Sequence, residues 1–105
     1  MADKTIRGYI ASDGTVNTGT GFSVQHDSAN DPGVYYITFD APFADTPAVT
    51  VSIVNTDWDT GWYVYSIIKA LDASSFEVIF IGGDVKTKFD TEFTFLATGT
   101  NGSGS

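Results

Sequence analysis

Read for the alternation of apolar and polar positions, the chain falls into short runs of period two. Clusters of turn residues separate them, and no segment repeats every 3.6 residues. The first run, TIRGYIA (5–11), closes at Ser12-Asp13-Gly14. GFSVQH (21–26) follows the Gly/Thr-rich TVNTGTG and leads into DSANDPG (27–33), which is dense in turn formers. VYYITFD (34–40) places Tyr35, Ile37 and Phe39 on one face, and APFADTP connects it to AVTVSIV (48–54), with Val49, Val51 and Ile53 inward. WYVYSIIKAL (62–71), the turn DASS, FEVIFI (76–81), the loop GGDVKTKFD and TEFTFLAT (91–98) complete the series, the last with Phe93, Phe95 and Ala97 inward. The pattern predicts an all-β chain, a small antiparallel β-sandwich of about six or seven strands. One domain is expected over 1–99, followed by a flexible, linker-like tail over 100–105.

Two of these strands are apolar on both faces. In FEVIFI, Phe76, Val78 and Phe80 fill the core while Ile79 and Ile81 point the other way. In WYVYSIIKAL, Trp62, Val64 and Ile68 share one face, and Tyr63, Tyr65, Ile67 and Leu71 the other. A sheet facing water is polar on its outer side, and a large exposed apolar patch marks an interaction surface. Either loops fold over this second face or an identical neighbour covers it. The size of the patch favours self-association, with Tyr63, Tyr65, Ile67, Ile79 and Ile81 as the expected interface.

Composition narrows the partners. The 105 residues are 42% apolar, enough for one modest core. Five cations (Lys4, Arg7, Lys69, Lys86 and Lys88) stand against 13 acidic residues, a net charge of −8. They form no basic stripe, which argues against nucleic-acid and anionic-membrane partners. No apolar run is long enough to span a bilayer, so no membrane insertion is expected, and MADKTIRGYI lacks the apolar stretch of a signal peptide. Without cysteine there are no disulfides and no thiolate metal sites.

Catalytic signals are weak. His26 is the single histidine; Ser23 and Ser28 lie nearby, but nothing resembles a nucleophile elbow. It reads as an exposed or hydrogen-bonded loop histidine, or as a ligand contact. The carboxylate pairs Asp57/Asp59 and Asp27/Asp31 fall in polar loops rather than in an apolar cleft that would raise one pKa. Asp57-x-Asp59 lacks the glycine and glutamate of a calcium loop, and Gly82-Gly83 lacks a following Lys-Ser/Thr. No enzyme activity, cofactor or metal is therefore expected.

The stretch VNTDWDTGWYVYS (54–66) carries both tryptophans among aspartates, threonine and glycine. Sugars offer apolar C–H faces and polar edges, and an aromatic plate beside carboxylates and hydroxyls matches both. Trp58, between Asp57 and Asp59, reads as an outward plate. Trp62 reads as the start of a strand, sealing packing or a protomer boundary. The expected ligand set is Asp57, Trp58, Asp59, Trp62 and His26.

Three landmarks then stand out: Gly21-Phe22, the run GVYYITFD-PF-TPAV, and the closing D-TEFTFLATG. Over roughly residues 7 to 99 the chain resembles the H-type lectin domains of bacterial proteins and of bacteriophage tail fibres. The resemblance implies a β-sandwich assembling as a homotrimer, with shallow sugar sites at protomer boundaries and an extracellular or virion-associated location. The sugar ligands of that family do not match residue by residue, and the single arginine, Arg7, lies in the first strand. A jelly roll of the tumour-necrosis-factor kind has strands that look like GVYYITF but is usually longer. The expected function is a non-catalytic, homotrimeric carbohydrate- or receptor-binding module. The alternative is a structural trimerisation cap or assembly block with no ligand.

Overall fold

The computed structural model describes residues 3–27, 29–54, 65–82, 88 and 90–101. Eight strands follow one another among them: β1 (Asp3–Ile10), β2 (Val16–Thr18), β3 (Phe22–Gln25), β4 (Val34–Phe39), β5 (Ala48–Val54), β6 (Tyr65–Leu71), β7 (Ser75–Ile81) and β8 (Glu92–Thr100). They form two four-stranded antiparallel sheets, ordered β2-β1-β8-β5 and β3-β4-β7-β6. The first is called sheet A below, the second sheet B.

The expected all-β sandwich is what the chain adopts, with one strand more. The addition is β2, three exposed residues inside the stretch read as a Gly/Thr-rich connection. Its existence depends on β1, against which it pairs through Tyr9↔Thr18 and Ile10↔Val16, with an irregularity between Tyr9 and Ile10. At the far end β8 runs to Thr100, opposite Asp3, and Asn101 bridges Phe43, so pairing extends past residue 99.

Turn chemistry fixes the hairpins. At Ser12-Asp13-Gly14 the Ala11 amide donates to the Thr15 carbonyl at 2.8 Å, while the Asp13 carboxylate accepts from the Thr15 amide at 2.9 Å. Gly14 supplies the positive φ of 93° that the turn needs. Between β6 and β7 the Asp72 carboxylate accepts from the amides of Ser74 and Ser75 at 2.7 and 2.9 Å, an Asx turn.

The core lies between the sheets and is dominated by aromatic rings. Seven phenylalanines (Phe22, Phe39, Phe43, Phe76, Phe80, Phe93 and Phe95) are buried there with Tyr35, Ile10, Ile37, Val78 and Ala97. The rings meet edge to face: Phe22 on Phe95 at 4.9 Å and 78°, Tyr35 on Phe93 at 5.0 Å and 66°, the arrangement their quadrupoles favour. Val49, Val51 and Ile53 do turn inward, but only half-buried, because β5 is the edge strand of its sheet.

One packing expectation is corrected. Leu71 does not share a face with Tyr65 and Ile67. A bulge between Ile68 and Ala70 shifts the register, so that Leu71 pairs with the core residue Phe76. Tyr65 and Ile67 pair with Ile81 and Ile79, and all four stand on the outer side of sheet B. Tyr65 and Ile67 are 49% and 47% exposed. The outer side of sheet A has a different character. There β1, β8 and β5 present Thr5, Arg7, Tyr9, Thr94, Leu96, Thr98, Thr50 and Ser52. The described strands thus have one hydroxyl-rich outer face and one that is apolar where β6 pairs with β7 and polar toward β3.

Candidate ligand-binding site

The β3–β4 connection is built around Asp27. Its carboxylate accepts hydrogen bonds from the backbone amides of Ala29 and Asn30 at 3.1 and 3.2 Å, and from the Asn30 side-chain amide at 2.9 Å. Those bonds, from Asn30 above all, hold the Asp27 carboxyl below its ordinary pKa. The Asp31 amide donates back to the Asp27 carbonyl at 2.8 Å, and Gly33 completes the return with φ 77°.

His26 anchors this connection to the body of the protein. Its side chain is 1% exposed. Nδ1 lies 2.6 Å from the Val34 carbonyl oxygen and Nε2 lies 3.0 Å from the Asp90 carboxylate. Both partners are acceptors, so the ring satisfies both when both nitrogens carry hydrogen. The imidazole stacks on Tyr35 at 3.9 Å and 11°. The same Asp90 oxygen accepts from the Gly33 amide at 2.7 Å, and the Tyr35 hydroxyl donates to the Ser12 carbonyl at 2.5 Å. Three connections are thereby tied at one end of the sandwich: β1–β2 through Ser12, β3–β4 through His26 and Gly33, and the approach to β8 through Asp90.

Burial and the negative charges of Asp90 and Asp13 push the Tyr35 phenol well above its ordinary 10.0, while a backbone hydrogen bond from Thr91 opposes them. The protonated phenol is the form the fold favours. Its contribution is present in full below pH 10.0 and is lost as pH rises toward the raised value. Urea midpoints taken from pH 8 upward are expected to fall once pH passes about 10. In Tyr35→Phe that decline is expected to be shallower. An equally steep decline in the variant would assign the alkaline loss to other groups.

Outside this anchor lies a shallow cavity of about 280 Å³, lined by Gln25, His26, Asp27, Asp31 and Tyr36. Tyr36 is 40% exposed on the outer side of β4, and its hydroxyl lies 3.5 Å from the Asp31 carboxylate. Directly opposite on β7 is Glu77, which pairs with Lys69 at 3.9 Å. The charge of Glu77, then burial, then Asp31 raise the Tyr36 phenol pKa and keep it a hydrogen-bond donor. The cavity therefore offers an aromatic face, a carboxylate in Asp31 and an amide in Gln25. It suits a ligand with an apolar face and hydroxyl edges.

The expected site residues divide. His26 reaches this cavity, but its ring nitrogens are committed within the fold. Tyr65, Ile67, Ile79 and Ile81 stand together on the same outer sheet. Asp57, Trp58, Asp59, Trp62 and Tyr63 lie outside the described residues; the sequence between Val54 and Tyr65 joins the edge strands β5 and β6. Gln25, Asp31 and Tyr36 were absent from the expected set. The signal for Tyr36 is the alternation of VYYITF itself, which turns it outward when Tyr35 and Ile37 turn in. Among the described residues no group of three or more His, Asp or Glu is placed to hold a metal ion. Compared with protein-family models, curated proteins and solved structures, the chain finds no match.

Proposed function

We propose that the domain is a non-catalytic receptor-binding module, of a phage tail fibre or bacterial surface protein, that assembles as a homotrimer and recognises cell-surface glycan. The observation that carries this reading is the outer face of sheet B. Tyr65, Ile67, Ile79 and Ile81 form an apolar patch, and Tyr36 with its carboxylates lies on the same sheet. Covering the patch with a second copy removes apolar surface from water at about 25 cal/mol per Å². The Tyr36 cavity then lies beside the covered area. The chemistry of Asp57, Trp58 and Asp59 supplies a second plate with polar neighbours on the β5–β6 connection. Each site is weak, about millimolar to high micromolar, and three sites on one assembly gain by effective concentration.

The test is a glycan array with the wild type beside Trp58→Ala and Tyr36→Ala, with the mass of each measured by light scattering. Selective binding by a trimer, lost in one variant at unchanged mass, is the expected result, and it identifies which plate holds the sugar. A trimer that binds no glycan would replace this reading with the structural cap. The apolar face by itself favours that second reading, because it can seal an assembly without any ligand.

A further inference from the structure

The hydroxyl-rich face of sheet A carries a second recess, of about 400 Å³, lined by Arg7, Gly8, Tyr9, Thr18, Thr94 and Phe95. It exists because β2 is so short. Thr18 is the last residue to pair with β1, and at Gly19 the backbone takes φ 116° and turns away, so close to β1 that a side chain there would strike the Arg7 carbonyl. Beyond Thr18 the outer side of β1 has no neighbouring strand, and Arg7 stands at the gap.

The groups around the recess are mostly donors. Tyr9 sits between Thr18 on β2 and Thr94 on β8, directly opposite each. Its hydroxyl donates to the Glu92 carboxylate at 2.7 Å, which fixes the ring as a plate and occupies that carboxylate oxygen. The two threonines offer hydroxyls on either side of the ring. Among the described residues the Arg7 guanidinium makes no hydrogen bond or ion pair. A guanidinium presents a planar fork that matches a carboxylate with two parallel bonds.

We infer that this recess is a binding site for a carboxylate-bearing sugar of the uronic-acid type. Arg7 takes the carboxylate, the Tyr9 ring takes the C–H face, and Thr18 and Thr94 take ring hydroxyls. The inference does not depend on the Tyr36 cavity, which lies on the opposite sheet and is lined by carboxylates unsuited to an anion.

The test is an amide chemical-shift titration of the whole chain with methyl glucuronide, methyl glucoside and acetate. Methyl glucuronide is expected to move the amides of Gly8, Tyr9, Thr18 and Thr94, with methyl glucoside binding about tenfold more weakly or worse. Arg7→Gln keeps the apolar stem of an exposed side chain and is expected to weaken the glucuronide by a similar factor. Lys69→Gln, which removes a cation from the opposite sheet, is expected to leave it unchanged. Equal binding of glucuronide and glucoside, or full binding by Arg7→Gln, would overturn the assignment. So would an absence of shifts at these amides. Acetate matching the glucuronide in affinity would reduce the site to a bare anion contact and overturn the sugar.

Discussion

Phe93→Ala is expected to lower the free energy of unfolding by about 3–5 kcal/mol. Phe93 is fully buried at the start of β8, flanked by Ile10 of β1 and Ile53 of β5. Its ring lies 4.9 Å from Phe80 and 5.0 Å from Tyr35, which belong to the opposite sheet. The loss has two parts: the apolar area returned to water, and a cavity that the surrounding rings cannot close. Aromatic rings have few rotamers, and Phe80 and Tyr35 are themselves fully buried. A domain of this size has about 5–15 kcal/mol in total, so the loss takes about a fifth of its stability or more. Leu96→Ala is the matched control on the same strand. Its side chain is 43% exposed, and the change is expected to cost under about 1 kcal/mol. Urea denaturation of both variants checks the contrast. Equal losses would mean that the outer side of β8 is as deeply covered as the inner.

His26→Ala comes next, at about 2–4 kcal/mol. The substitution removes the partner of the Val34 carbonyl, the ring nitrogen facing Asp90 and the ring stacked on Tyr35. Asp90 is a quarter exposed, and water reaches it, which keeps the cost below that of a wholly buried pair. Asp90→Asn is expected to cost less, about 1–2 kcal/mol, because a neutral amide oxygen still accepts from the Gly33 amide. Amide hydrogen exchange supplies a second readout. In His26→Ala the Gly33 and Val34 amides are expected to lose protection along with the Thr15 amide, since Ser12, Gly33 and Asp90 are tied through one cluster. Loss confined to the β3–β4 connection would show that the three connections move independently.

The strands and their inner faces were legible because burial on one side imposes period two. VYYITF, FEVIFI and TEFTFLAT each state which residues go in, and the structure puts those residues in. Two features of the fold were not legible. Val16–Thr18 has no buried residue, so its strand conformation depends on β1 and leaves no mark in its own pattern. The bulge in β6 changes the face of Leu71 through a one-residue slip in pairing with β7, a property of two strands together. His26 shows the same limit for the site. A polar residue at a hairpin end reads as exposed, and what holds it in is the Tyr35 ring beneath it and the carboxylate of Asp90, far along the chain. Tyr36 was legible as well: an aromatic residue on the polar side of an alternating strand is a signal in itself.

The pairing of β1 with β8 places Asp3 beside Thr100, at one end of the same ladder. Drawn apart from those two positions, the strands are loaded along their hydrogen bonds, which run perpendicular to the strand axes in an antiparallel pair. The bonds break one after another from Asp3 inward rather than all at once. Tension applied there peels the molecule open as a zipper, at lower force than sliding the strands past each other would need.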